Sequence, residues 1–147
     1  MTYSDFLAEM AYNQKFSLDK IETLTYPLLE HILKIWLMPD SQDIKHWESE
    51  VVNFIDAIDR MCNLKSKKRR PEYNTLLHRF QNLLEEKTIE KCLKRVTDNY
   101  KPTKKFTRTQ TLEKIRTFLF FFWKSLAVEC VDGKKTLGYI QKLGEQK

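Results

Sequence analysis

Apolar residues recur at steps of three and four along most of this 147-residue chain, a period that belongs to helices packed on helices. The clearest stretch runs from about 42 to 62. There Ile44, Trp47, Val51, Phe54, Ile55, Ile58 and Met61 fall on one stripe, with Asp43, Lys45, Glu48, Glu50, Asp56 and Asp59 largely off it. Pro39-Asp40-Ser41 supplies a break and then a side chain able to cap the first turn. Strand signals are scarce, and no repeat at a solenoid period is visible. The expected architecture is all-α, a single domain over 1–147 built as a bundle of five to seven helices.

Upstream, Ser4 is placed to cap a short helix to about Asn13, and Ser17 another that carries Leu18, Ile21 and Leu24. Pro27 then either kinks that helix or restarts it, and the piece from Pro27 to Leu37 is apolar enough to be mostly buried. Downstream, Pro71 reads as the first residue of a helix over 71–86, followed by another over 88–99. Thr107 and Gln110 have the spacing of a capping box. They open a long central helix at about 110–131 that stops at Asp132-Gly133, read as a left-handed terminus. A short last helix carries Leu137, Ile140 and Leu143 on one face.

Charge divides the chain in two. Residues 1–62 hold 5 Lys/Arg against 11 Asp/Glu, whereas residues 63–147 hold 21 against 9. Such asymmetry speaks to partners rather than to fold, and makes a polyanion the first partner to consider. Two basic runs stand out, Lys65, Lys67, Lys68, Arg69 and Arg70, and then Lys101, Lys104, Lys105 and Arg108. They flank the 71–99 segment. If that segment is an antiparallel hairpin, both runs lie at one end of it. Lys91, Lys94 and Arg95 add charge to one helical surface between them, and Tyr100 and Phe106 are interleaved with the second run as base-stacking rings often are. Arginines grip phosphates bidentately and lysines act as point charges, so such a surface would hold RNA or DNA without reading sequence. The plainer reading of any charge run is a solvated loop, and a run like 65–70 also resembles a nuclear localisation signal.

The long helix suggests a second surface. Leu112, Ile115, Leu119, Phe122, Leu126 and Cys130 make a stripe, while Phe118, Phe120, Phe121 and Trp123 cover the rest of the circumference. A helix apolar all round is surrounded. It is either the core helix of the bundle or one whose aromatic belt partly faces a protein partner or a second copy of the chain.

Catalytic and metal patterns are weak, and no cofactor or metal is expected. The three glycines, Gly133, Gly138 and Gly144, all fall in the last 15 residues, so no earlier loop can cradle phosphate as a P-loop or dinucleotide fingerprint does. His31, His46 and His78 fall on separate helices, and His46 with Glu50 has a ligand spacing better suited to an ordinary polar contact. Asp40, Asp43 and Lys45 superficially resemble a nuclease set, but sit where a loop runs into a helix, and Arg70 and His78 are too far apart for a small helical ribonuclease. Cys62, Cys92 and Cys130 read as buried reduced thiols, without a disulfide framework. With no signal-peptide pattern and no apolar run longer than Phe118–Trp123, the expected setting is the cytoplasm, away from membrane. The function expected is non-catalytic: nucleic-acid binding, or docking of a protein through the aromatic belt or the acidic helix 42–62.

Overall fold

A computed structural model describes residues 2–62 and 70–146, with side chains from Leu18 onward in the first helix. Six α-helices and one short 3-10 helix follow in order, and no strand occurs among the described residues. The all-helical expectation holds. Lys65, Lys67, Lys68 and Arg69 lie outside the described residues.

The first helix, α1 (Tyr3–Leu37), is a single 35-residue element where the sequence suggests two or three. Pro27 lies inside it and gives Thr23 no backbone donor. An interior proline costs about 3 kcal/mol. Against that, Leu28, Leu29, Ile32 and Leu33 in the next two turns are wholly buried, each stabilising by about 1.5–3 kcal/mol, so packing decides the conformation. Thr23 and Thr25 hydroxyls donate to the carbonyls of Asp19 (3.0 Å) and Ile21 (2.6 Å) in the turn before the proline.

Helix α2 (Ile44–Cys62) follows a turn in which the Ser41 hydroxyl accepts from the Asp43 N–H at 3.1 Å, as its sequence position predicts. Its stripe of Trp47, Val51, Ile55 and Ile58 is buried against α1 and α6 (Gly133–Glu145).

The segment after residue 70 departs from expectation. It forms α3 (Tyr73–Arg79), a 3-10 helix (Gln81–Leu84) and α4 (Glu86–Asn99), with Pro71 lying ahead of the N-cap Glu72 rather than inside the helix. These pieces do not fold back on one another. They run one after another, antiparallel to α5 (Arg108–Val128). Arg70 Nε donates to the Leu126 carbonyl at 2.6 Å, and Lys124 Nζ lies 5.5 Å from the Tyr73 ring centre. Phe80 packs on Trp123 at 5.8 Å, Arg116 Nε donates to the Leu84 carbonyl at 2.8 Å, and Arg108 pairs with Glu90 at 3.0 Å. The hairpin expected from sequence is absent.

Helix α5 begins with the expected capping box: the Gln110 N–H donates to Thr107 Oγ1 at 3.1 Å, and the Thr107 N–H to Gln110 Oε1 at 2.9 Å. Phe118, Phe122 and Trp123 are fully buried, so α5 is the core helix of the bundle. It ends at Val128, and Asp132-Gly133 is not a left-handed terminus, because no glycine has positive φ among the described residues. Asp132 instead caps α6, accepting from the N–H groups of Lys134 and Lys135. Gly133 is required by proximity. A Cβ there would lie 2.7 Å from Asp56 Oδ1 and 2.8 Å from the Val52 carbonyl oxygen, because α6 starts hard against α2.

Two polar clusters fix α6. At its start, the buried Asp59 carboxylate accepts from the Arg70 guanidinium and from the Val131 N–H (2.9 Å), while Asp56 accepts from the Gly133 N–H (3.0 Å). At its end, Lys104 Nζ donates to the Gly144 carbonyl (2.7 Å), and Lys114 Nζ to those of Leu143 (2.5 Å) and Gln146 (2.7 Å). Two ammonium groups thus satisfy orphan carbonyls at the negative end of the helix dipole.

Replacing Asp59 with Ala removes the buried carboxylate that receives the Arg70 guanidinium and the Val131 N–H, and is expected to lower stability by about 3–5 kcal/mol in urea unfolding. The glycines of α6 separate in the same assay. A Cβ at Gly144 would lie 2.4 Å from Trp36 Cδ1, whereas one at Gly138 meets nothing within 4 Å. Gly144→Ala is therefore expected to destabilise by about 1–3 kcal/mol, and Gly138→Ala to stabilise by up to about 1 kcal/mol.

Candidate nucleic-acid interface

Helix α4 presents three lysines, Lys87, Lys91 and Lys94, at successive spacings of four and three residues, and all three are exposed. Their stripe lies opposite buried Ile89, Cys92 and Val96. Over the seven residues from Lys87 to Lys94 it spans about 10 Å of helix. On one flank Arg95 reaches to Glu30 of α1 at 3.1 Å, and on the other Glu90 takes Arg108 of α5. Asp98 closes the stripe at its C-terminal end. Between its neighbours, α4 is a fixed ridge with charge on its outward face.

The segment 100–107 leaves the end of α4 and returns to Glu90 through Arg108. It is pinned in the middle: the Leu37 carbonyl at the C-terminus of α1 accepts from the N–H groups of Thr103 (3.0 Å) and Lys104 (2.9 Å). Lys101 and Lys105 project from it, exposed. Neither they nor the three ridge lysines have an ion pair or a side-chain hydrogen bond among the described residues. Five ammonium groups without an ion pair among the described residues therefore lie on α4 and the loop that follows it.

Other residues singled out in the sequence are placed differently. Arg70 is turned inward onto Asp59 and the Leu126 carbonyl, with only 11% of its side-chain surface exposed, so it is a structural cation rather than a free phosphate ligand. Leu126 and Arg108 are eighteen residues apart on α5, about 27 Å along the axis, so Arg70 and the 101–108 loop sit at opposite ends of that helix. The convergence that a hairpin would have produced does not occur for Arg70. Lys104 is bound to the end of α6. Arg95 and Arg108 keep most of their surface exposed, 72% each, while holding their carboxylate partners.

Both aromatic residues of the second run are engaged. Tyr100 packs edge-on to Trp47 at 5.4 Å, with Lys34 Nζ 5.0 Å from its ring centre. Phe106 has Lys104 Nζ and Lys114 Nζ at 5.1 and 4.9 Å. Lys114 is buried, and desolvation, with the nearby Lys104 charge, moves its pKa below the usual lysine value. Lys87 was missed in the sequence, although its spacing to Lys91 and Lys94 was there to read.

The aromatic belt is mostly core. Phe118 and Trp123 are fully buried and offer no partner surface, Phe120 is half-buried against Trp123, and Phe121, 40% exposed, stacks on Tyr139 at 4.0 Å. Among chemistry-bearing side chains, His46 and His78 are exposed and His31 is bonded to the Pro27 carbonyl at 2.7 Å. The described residues hold no group of three His, Cys, Asp or Glu able to ligate a metal. None of their helices is long and apolar enough to cross a membrane. Comparison with protein-family models, curated proteins and solved structures finds no match.

The thiols divide against the uniform burial expected of them. Cys62 and Cys92 are buried, and desolvation raises their pKa values to about 12 and about 11, whereas Cys130 is exposed. At about pH 8, near the ordinary thiol pKa, a disulfide reagent is expected to modify one thiol rapidly in the native protein and all three in denaturant. Rapid native modification of Cys62 would contradict this packing.

Proposed function

We propose that this protein is a non-catalytic nucleic-acid-binding protein, or a small subunit of a nucleoprotein complex, that holds phosphates on α4 and the loop after it. One observation carries the reading: Lys87, Lys91, Lys94, Lys101 and Lys105 are exposed, close along the chain, and have no ion pair among the described residues. The described arginines of the basic half, with Lys104 and Lys114, face carboxylates or backbone carbonyls, and the other exposed lysines among the described residues there, Lys124, Lys134, Lys135 and Lys142, belong to α5 and α6. A cluster of exposed lysines favours a polyanion, since each phosphate it neutralises releases condensed counterions. Lysines of this kind position a backbone and carry no base readout. On this reading the protein works in a reducing setting such as the cytoplasm, which suits the buried thiols of Cys62 and Cys92. The protein-docking alternative retains little of its proposed belt, because Phe121 alone of the four rings is exposed and it is already stacked on Tyr139.

Fluorescence anisotropy against labelled RNA and DNA is expected to show binding that weakens by orders of magnitude between about 50 and 200 mM salt. Changing Lys91, Lys94, Lys101 and Lys105 to Glu should lower affinity about a hundredfold or more at the lower salt and flatten the salt slope by roughly three. The helical circular-dichroism signal should stay unchanged. Absence of binding at the lower salt would sink the reading.

A further inference from the structure

We infer that the polyanion seated on the α4 ridge is a duplex gripped by its backbone, rather than a single strand held by its bases; the inference rests on the nucleic-acid reading. Proteins that take single strands without sequence preference combine a basic groove with aromatic faces on which bases stack. Among the described residues neither part is offered beside the ridge. Tyr100 has its ring against Trp47 and beneath the Lys34 ammonium. Phe106 is partly buried against the core, with the Lys104 and Lys114 ammonium groups that close the end of α6 about 5 Å from its ring centre. Phe121, the exposed belt ring, belongs to α5 and is stacked on Tyr139 of α6.

The charge itself has the wrong shape for a single strand. Lys87, Lys91 and Lys94 stand on the outward face of a helix held on both flanks by Arg95–Glu30 and Arg108–Glu90. That is a convex, straight row about 10 Å long. A flexible single strand would have to be ordered along it, with nothing to receive its bases. A duplex is already ordered, and presents one phosphate per about 1.7 Å of axis from its two strands. Lys101 and Lys105 add exposed charge on the pinned loop beyond the end of α4.

The test compares a 5′-labelled duplex of about 20 base pairs with each of its separate strands, at equal phosphate concentration and about 50 mM salt, a condition in which counterion release is strong. The duplex is expected to bind at least about tenfold more tightly than either strand. Phe106→Leu and Tyr100→Leu, checked by circular dichroism, should change duplex affinity less than about twofold, since a stacked base would lose fivefold or more. Equal or tighter binding of a single strand overturns the inference while leaving the nucleic-acid reading intact. A fall of fivefold or more in a folded ring variant also overturns it. Failure of duplex and strands alike overturns both.

Discussion

A helix with a broad face of large apolar side chains needs cover along its whole length, and in this molecule that demand falls on α5. Ile115, Phe118, Leu119, Phe122, Trp123 and Leu126 are buried, and the face of Glu113, Thr117, Phe121 and Lys124 is turned to water. Because the helix is long, the cover has to be long as well. The 70–99 segment meets this by running the length of α5, placing Phe80 on Trp123, then Leu84 at Arg116 and Glu90 at Arg108. A hairpin would have been more compact but would have left part of the aromatic belt bare. The distribution of charge follows: covering α5 end to end carries Arg70 to one end and the 100–108 loop to the other.

The two basic residue types are used differently. Arg70, Arg79, Arg95, Arg108 and Arg116, the described arginines of the basic half, all have carboxylate or backbone-carbonyl partners. A guanidinium offers several donors in a fixed plane and tolerates partial burial, which suits it to tying elements together. Arg79 joins the end of α3 to Asp19 and Glu22 of α1 and so links the two charge halves. The ammonium groups divide: Lys104 and Lys114 close the end of α6, while the lysines of α4 and its following loop, and Lys124, Lys134, Lys135 and Lys142 of α5 and α6, remain in water. The formal excess of positive charge in the second half therefore overstates what a partner can meet.

Much of the local structure was legible. The stripe from Ile44 to Met61, the Ser41 turn and the Thr107–Gln110 box depend on residues within a turn or two of one another, and periodicity and capping report such relations directly. The errors came where distant parts decide. Pro27 reads as a boundary until the burial of Leu28 through Leu33 is weighed against it. Asp132-Gly133 reads as a stop because Asp-Gly suits one, yet the glycine answers to Asp56 and Val52, some eighty residues earlier. The proposed interface was legible in part. Lys91, Lys94, Lys101 and Lys105 were visible as charge, but that Arg70, Lys104, Tyr100 and Phe106 were engaged elsewhere depends on contacts across the fold.

The antiparallel course of 70–99 along α5 also bears on how the chain finds its structure. Its contacts are nested around the 100–107 loop: Glu90 with Arg108, then Leu84 with Arg116, Phe80 with Trp123 and Arg70 with Leu126. Once the innermost pair has met, each further pair encloses only a modest extension of a loop already closed, and closure entropy rises only logarithmically with length. The basic half can therefore zip outward from its own middle by short steps. Trp36 of α1 reaches the Ile140 carbonyl across 104 residues and has no such sequence of small closures. Joining the α1–α2 pair to the basic half is then the step that closes the longest loops in assembling the bundle.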